Sequence, residues 1–253
     1  MAVKKILSGE QRRHSIIDAA TRLFAENGFH ATSIRQVASA AGVSEALIYK
    51  HFASKEELYE ETLNYARSIL SLTAGELEAM PLGTGTLVIM VYLAVSLIAL
   101  DVPGRTDEQK AHERLLFQSL TGDIAFARRH FQNLEDSWAR LLQANYEAAV
   151  EAGDFLPCPE SVRNRMWFVH HLAMAINLCH LSGEPAFRYD GTREELVEQA
   201  VLFCLRGGGM TPEAIERYYR PRELRAIRKQ LLGSAPASPE GRRGAAGRRR
   251  AKG

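Results

Sequence analysis

A short segment, residues 44–55, holds the side chains of this chain that are best suited to contact a nucleic acid. The side chains predicted to lie nearest the base edges are Ser44, Glu45, Ala46, Leu47 and Lys50. An ammonium group can donate to guanine O6 or N7, and a short apolar side chain can contact a thymine methyl group. The side chains predicted to contact phosphates are Tyr49, His51 and Lys55, together with Thr32 and Arg35 from the preceding segment. Phosphate contacts position a protein on the duplex, whereas base contacts carry the sequence information.

These side chains can act together only if residues 32–58 form two helices joined by a tight turn. Gly42 lies at the expected turn, where the backbone needs a positive φ that glycine adopts without cost. Ala38 is small enough to let the two helices cross, and Val37 and Ile48 are predicted to pack between them. This spacing predicts a helix-turn-helix motif, whose second helix enters the major groove of DNA.

Hydroxyl side chains mark the predicted starts of the helices in this region. Thr32 and Ser44 are predicted to cap the two helices of the motif, because their side-chain oxygens can accept from free backbone N–H groups. Ser54 and Glu57 have the spacing of a capping box, which predicts a further helix that runs to about Leu72. That helix would join the motif to the rest of the chain.

Residues 10–65 resemble the amino-terminal domain of the TetR-like transcriptional regulators, a family named for the tetracycline repressor. The matching positions are Ala19, Leu23, Phe24, Gly28, Phe29, Thr32, Ile34, Val37, Ala38, Ala41, Gly42, Val43, Ser44, Ile48, Tyr49, Phe52, Lys55, Glu57 and Leu58. The resemblance implies a homodimer that binds a palindromic operator in double-stranded DNA and releases it when a small molecule binds. Ala46 and Leu47 stand where the family often has glycine and threonine, and His51 stands where tyrosine is common. The base preference of relatives therefore does not carry over.

The whole chain is predicted to be all-α, because helical spacing dominates and strand alternation is almost absent. We predict a helix-turn-helix DNA-binding domain over 1–60, a helical effector-binding and dimerisation domain over 61–232, and a disordered basic tail over 233–253. The predicted helices are 10–27, 86–100, 106–120, 123–151, 160–181, 192–206, a short one opening at Thr211-Pro212, and 221–232. Breaks are predicted at Pro103-Gly104 and at 183–185.

The resemblance implies that helices 160–181 and 192–206 form a four-helix interface with a second copy. Their apolar residues are Met166, Phe168, Val169, Leu172, Ala173, Ile176, Leu196, Val197, Ala200, Val201 and Phe203. About half of these must instead face the core of the monomer, because a helix with so many apolar positions has two sides to cover.

A small-molecule effector of unknown identity is the third partner that the resemblance implies. The candidate contacts are Met90, Phe117, Phe131, Trp138, Trp167, His170, His171, Met174 and Asn177. Apolar and aromatic groups dominate this set, which favours a hydrophobic effector, although each residue is also an ordinary core residue.

Charge is distributed unevenly along the chain. Residues 61–219 carry 13 basic and 21 acidic side chains, whereas residues 220–253 carry 11 basic and 2 acidic ones. DNA would repel the acidic middle region and attract the basic end. The arginines in 242–250 would either add sequence-independent affinity for DNA or simply keep the tail soluble.

Other function classes find little support in the sequence. No catalytic motif is present, so no enzymatic activity and no cofactor are predicted. The histidines and the three cysteines lack zinc-binding spacing, so no metal site is predicted either. The apolar run 86–100 is shorter than a membrane span and is predicted to be a buried core helix in a cytoplasmic protein. The remaining alternative is an architectural DNA-binding protein that responds to no effector.

Overall fold

A computed structural model describes residues 8–100, 107–122, 124–157, 161–180 and 188–234. Within these ranges it contains eleven α-helices and only one isolated β-bridge, between Phe155 and Met210. The helices are α1 Gly9–Ala31, α2 Ile34–Ala41, α3 Glu45–His51, α4 Lys55–Glu78, α5 Thr84–Ala99, α6 Asp107–Thr121, α7 Ala125–Glu151, α8 Val162–Leu178, α9 Arg193–Gly207, α10 Pro212–Tyr218 and α11 Pro221–Ser234. The all-α prediction is confirmed for the described residues. The predicted breaks at Pro103-Gly104 and 183–185, and the tail beyond residue 234, lie outside them.

The first three helices close around a small apolar core. Ile16, Phe24, Val37 and Ile48 are each completely buried there. Phe24 packs edge-on against Tyr59 of α4, with the ring centroids 5.0 Å apart, which joins α4 to the same core. The orientation of α3 is therefore set by side chains that come from α1, α2 and α4.

The cap of α2 differs from the prediction. Ser33, not Thr32, is the N-cap, and its hydroxyl accepts from the Gln36 N–H while the Gln36 side chain accepts from the Ser33 N–H. Thr32 ends α1 instead, and its hydroxyl donates to the backbone oxygens of Leu23 and Gly28. Ser33 satisfies the capping box because glutamine lies three residues after it, a pairing that the prediction overlooked.

The other two predicted caps are present. The Ser44 hydroxyl accepts from the Leu47 N–H at 3.2 Å, and the Ser54 hydroxyl accepts from the Glu57 N–H at 3.1 Å. The Glu57 carboxylate, however, accepts from the Ala53 N–H rather than from the N–H of Ser54. The start of α4 is thus capped by the predicted residues, with the reciprocal bond displaced by one position.

The amino-terminal helices share their core with the following helices. α4 runs continuously across the boundary that was predicted at residue 60, and Arg13 of α1 forms an ion pair with its Glu61. α6 packs along α1, and residues of α6, α7 and α8 are buried in the same cluster as Phe24 and Ile48. A change in the packing of the later helices can therefore reach α1, α2 and α3 through direct contact.

α5 forms the centre of the second apolar core. Gly83 is its N-cap, and its Val88, Leu93 and Val95 are completely buried. α7, α8 and α9 pack around it. The predicted core helix is confirmed, with its ends shifted by two residues or fewer. None of the helices in the described ranges is both long enough and apolar enough to span a lipid bilayer.

Gly42→Ala is expected to lower the free energy of unfolding by about 1–2 kcal/mol, because Gly42 has φ 65° and an L-residue is strained there. An added Cβ would meet no atom within 4 Å, so the loss arises from the backbone conformation alone. Urea unfolding followed by circular dichroism measures the change. Gly9→Ala is the matched control, since Gly9 has equally open surroundings without a positive φ, and it should be neutral or slightly stabilising. Equal losses in both variants would contradict this reason.

Candidate functional site

Helix α3, the candidate recognition helix of the predicted helix-turn-helix, is anchored by one buried face and leaves the other face exposed. Ile48 is completely buried and fixes the helix on the core of the amino-terminal domain. The side chains on the opposite side are exposed, namely Ser44, Glu45, Ala46, Tyr49 and Lys50, while Leu47 is half-buried. The exposed fraction of Tyr49 is 53%, which leaves its hydroxyl accessible for a phosphate contact instead of restricting it to a bracing role. The set of side chains predicted to reach base edges therefore lies on one accessible surface.

Thr32 does not join this surface. Its side chain is 1% exposed, and its hydroxyl donates to the Leu23 oxygen at 3.0 Å and to the Gly28 oxygen at 2.9 Å. Both contacts hold the end of α1 in place. The assignment of the Thr32 side chain as a phosphate contact is therefore corrected, because its hydroxyl is already used inside the protein.

The remaining predicted phosphate contacts border α3. Arg35 is exposed on α2, and His51 is half-buried at the end of α3. The Lys55 ammonium group lies 4.3 Å from the centroid of the Phe29 ring, a cation–π contact that holds the charge near the start of α4. A fixed positive charge beside an exposed recognition helix is suited to contact the phosphate backbone.

Large apolar side chains are exposed on both α8 and α9. Phe168 and Leu178 on α8 are 62% and 50% exposed, and Phe203 on α9 is 70% exposed. Leu172 and Leu202, at compatible helical spacing, are half-buried. Seven residues of the predicted interface set instead lie in the core of this chain, namely Met166, Ala173, Ile176, Leu196, Val197, Ala200 and Val201. The prediction that about half of the set faces inward is therefore too low, because Val169 and Leu172 also pack against this core and only Phe168 and Phe203 of the eleven residues are exposed.

A cavity of about 80 Å³, partly open to solvent, lies among α5, α7, α8 and α9. The lining side chains from these helices are Leu87, Met90, Val91, Ala94, Trp138, Leu142, Tyr146, Val162, Arg165, Met166, Val169, Cys204 and Leu205. Phe155 and Gly208 complete the wall from the connecting segments. Its apolar lining is typical of small-molecule sites, and its volume is smaller than the roughly 300 Å³ at which such sites usually begin.

Of the nine predicted effector contacts, only Met90 and Trp138 line this cavity. Phe117 and Met174 pack against the core of the amino-terminal domain, and the Asn177 amide donates to Glu113 at 3.0 Å. The overlooked lining residues on α5 are spaced at i, i+4 and i+7 from Leu87, a pattern that could have indicated one face of a helix. It was not distinctive, because α5 is apolar on every side.

The other four predicted contacts form an aromatic cluster with His130. Phe131 packs edge-on against Trp167, His170 and His171, with ring centroids between 5.5 and 6.1 Å apart. Burial lowers the pKa of His130 to about 4. Burial, with a smaller contribution from the neighbouring His130 and His171, lowers the pKa of His170 to about 3. Both imidazoles are therefore neutral at physiological pH.

This cluster predicts that stability falls on acidification. A buried histidine whose pKa is lowered resists protonation, whereas the unfolded chain takes up the proton below about pH 6.5. The loss begins below that value and levels off only below the lowered pKa of each group. Urea unfolding at pH 7 and pH 5 is expected to show a loss of about 2 kcal/mol or more from these histidines.

Urea unfolding of histidine variants at the same two pH values identifies which histidines cause the loss of stability. His170→Leu should have a smaller difference between the two pH values than the original chain, because one buried imidazole has been removed. His14→Leu is the control, since His14 is exposed on α1 and its replacement should leave the difference unchanged. If all three chains lose the same amount on acidification, the cluster is not responsible. Among the described residues, no group of histidine, cysteine and carboxylate side chains could hold a metal ion.

Residues 16–62 match the family described as "Bacterial regulatory proteins, tetR family". The chain is 50% identical over 54 residues to the HTH-type transcriptional regulator HbdR of an Aromatoleum species, which covers 21% of this chain and 24% of that protein. It is 39% identical over 77 residues to the HTH-type transcriptional repressor KstR2 of Mycobacterium tuberculosis, which covers 27% of this chain and 38% of that protein. The chain thus spans well under half of the length of either curated relative.

The likeness in fold extends further along the chain. The crystal structure of a tetR-family bacterial regulatory protein from Rhodococcus RHA1 matches 79% of this chain and 98% of its own, with a TM-score of 0.59 and 21% identity. At that identity the comparison shows a shared fold.

Proposed function

We propose, from the match of residues 16–62 to the tetR family of bacterial regulatory proteins, that this chain is a homodimeric transcriptional repressor that a small hydrophobic effector releases from its operator. The observation that carries the proposal is the exposure of Lys50 and Tyr49 on a recognition helix whose opposite side is fixed by the buried Ile48. A rigid helix with donors on its free face is suited to direct readout in the major groove.

A dimer would supply the contact to a second half-site that a single helix-turn-helix lacks. One helix-turn-helix makes few contacts, and proteins of this kind usually read two half-sites about one helical turn apart. The exposed face of Phe168, Leu178 and Phe203 supports the pairing of two copies, since large apolar patches on a soluble protein mark interaction sites. A two-fold axis between the copies would place their recognition helices on a palindromic operator.

The cavity supports the effector part of the proposal. α8 lines it through Arg165, Met166 and Val169, and further along the same helix Met174 is buried in the core of the DNA-binding helices. α7 likewise lines the cavity through Trp138 and contributes Phe126 to that core. A ligand that favours one position of these helices would therefore shift the population of dimers whose recognition helices fit the operator.

Selection from a pool of random DNA duplexes tests the DNA-binding part directly. The full chain should enrich one short palindrome, whose half-sites are about one helical turn apart, and should sediment as a dimer when bound to it. Enrichment of no common sequence, with uniform coverage of DNA in footprinting, would instead identify an architectural protein.

A further inference from the structure

The side chain of Arg13 contacts two other elements of the amino-terminal helices at the same time. Arg13 lies on α1, and its guanidinium forms an ion pair with the Glu61 carboxylate of α4. The central carbon of the same guanidinium lies 5.1 Å from the centroid of the Phe52 ring, which is close enough for a cation–π contact. Phe52 is the residue at which α3 ends. One side chain therefore joins α1, the end of α3 and α4.

Phe52 is connected to α3 through both its backbone and its side chain. Its N–H donates to the Ile48 oxygen at 2.9 Å. Its ring is 1% exposed and lies in the same apolar core as the Ile48 side chain. Ile48 anchors the middle of α3 and Phe52 anchors its C-terminal end. The direction in which α3 points therefore depends on where Phe52 is held.

The contacts of Arg13 add direction to this apolar packing. Burial of apolar surface is favourable but non-directional, so it fixes the depth of Phe52 in the core better than it fixes an angle. A guanidinium is planar, presents its donors to a carboxylate in a fixed fork, and stacks its face on aromatic rings. Its contacts with Glu61 and Phe52 therefore restrict the end of α3 relative to both α1 and α4.

The ion pair contributes more to this geometry than to the stability of the fold. The side chains of Arg13 and Glu61 are 31% and 25% exposed, and ion pairs that water can reach contribute little to the free energy of unfolding. Recognition of another molecule is more demanding, because the contacting groups must be held within about 0.5 Å of the fitting geometry by the residues behind them.

We propose that Arg13 is a positioning residue for DNA recognition, which acts through Phe52 and Glu61 to hold α3 at the angle that lets its exposed side chains enter the major groove. Arg13 contacts no base in this arrangement. The proposal rests on the proposed function, since it requires α3 to bind an operator. It adds to that function a residue of α1 that determines how well the operator fits.

Neutralising and exchanging the two charges in the full-length protein tests this role. Arg13→Gln and Glu61→Gln should each weaken binding to the selected palindrome by roughly 10-fold, because a partly exposed ion pair is lost in each of two subunits. The double glutamine variant should bind no more weakly than Arg13→Gln alone, since both changes remove the same pair. The melting temperature of the glutamine variants should change little.

Exchange of the charges separates positioning from a direct contact to DNA. Arg13→Glu combined with Glu61→Arg restores an ion pair between α1 and α4, and it should recover operator affinity that Arg13→Glu alone loses. If Arg13 instead contacts a phosphate, Arg13→Gln should lose affinity equally for the palindrome and for random duplex, and the exchange should recover nothing. That result would overturn the proposal.

Arg163→Gln is the matched control for the loss of an ion pair. The Arg163 Nε lies 2.6 Å from the Glu135 Oε1, in a partly exposed pair that joins α8 to α7. This pair lies outside the helix-turn-helix, so the variant should bind the palindrome with unchanged affinity. An equal loss of affinity in Arg163→Gln and Arg13→Gln would mean that Arg13 has no special role.

Nuclear magnetic resonance of the protein without DNA lets the two proposals fail separately. In Arg13→Gln the backbone amide signals of Leu47 and Ile48 in α3 should move, while that of Val88 in α5 should not. If the original chain selects a palindrome and Arg13→Gln binds it equally well, the proposed function stands and the role of Arg13 fails. If the α3 signals move but the original chain selects no DNA sequence, the proposed function fails and the role of Arg13 in recognition fails with it.

Discussion

Phe168→Glu combined with Phe203→Glu is expected to turn the proposed dimer into monomers and to lower operator affinity by roughly 100-fold or more. Specific binding exceeds non-specific binding by about 10³-fold or more in such proteins, and a monomer keeps only one of two half-site contacts. The two side chains are 62% and 70% exposed in one chain, so the change removes the interface without disturbing the core. Analytical ultracentrifugation gives the oligomeric state, and fluorescence anisotropy gives the affinity.

A matched variant guards against a general effect of added charge. Leu82→Glu places a carboxylate on a leucine that is 63% exposed and lies outside α8 and α9. This control should remain dimeric and bind the operator normally. If the double variant remains a dimer with unchanged affinity, copies of the chain associate through another surface and the proposed interface is wrong.

Lys50→Ala is expected to weaken operator binding by about 100-fold. A good contact to a base is worth roughly 1–3 kcal/mol, and a dimer makes it twice. Lys50 is exposed near the end of a helix that the buried Ile48 fixes, so its ammonium group would need no rearrangement to enter a groove. The loss should be concentrated at one symmetric position of the operator, where the variant should tolerate every base.

The comparison with non-specific DNA decides between the two roles that a lysine can have. If Lys50 contacts only a phosphate, the variant should lose affinity equally for operator and random duplex, and the salt dependence should become shallower. Lys229→Ala, which removes an exposed lysine from α11, is the control and should leave operator preference unchanged. If Lys50→Ala still prefers the operator over random duplex as strongly as the original chain does, Lys50 makes no base contact.

The cap at Ser33 shows how much of the structure can be predicted from residues that are close together in the sequence. The motif around Gly42 and Ile48 was predicted correctly because turn geometry, capping and the apolar face all depend on residues within a few positions of one another. The error at Thr32 was also local, since two neighbouring hydroxyl residues compete for one cap. The buried bonds of Thr32 to Leu23 and Gly28 decided the outcome, and they depend on how α1 ends.

The sequence by itself determined the helical class, the helix-turn-helix and its exposed face, because these follow from short-range spacing. Only the tertiary structure decided that Trp138 and Met90 line a cavity while Phe131 and His170 form a separate cluster. Helices such as α5 and α8 have apolar residues on every side, so periodicity cannot say which side faces a core, a cavity or another copy. That choice is made by the helices packed around them, which lie far apart along the chain.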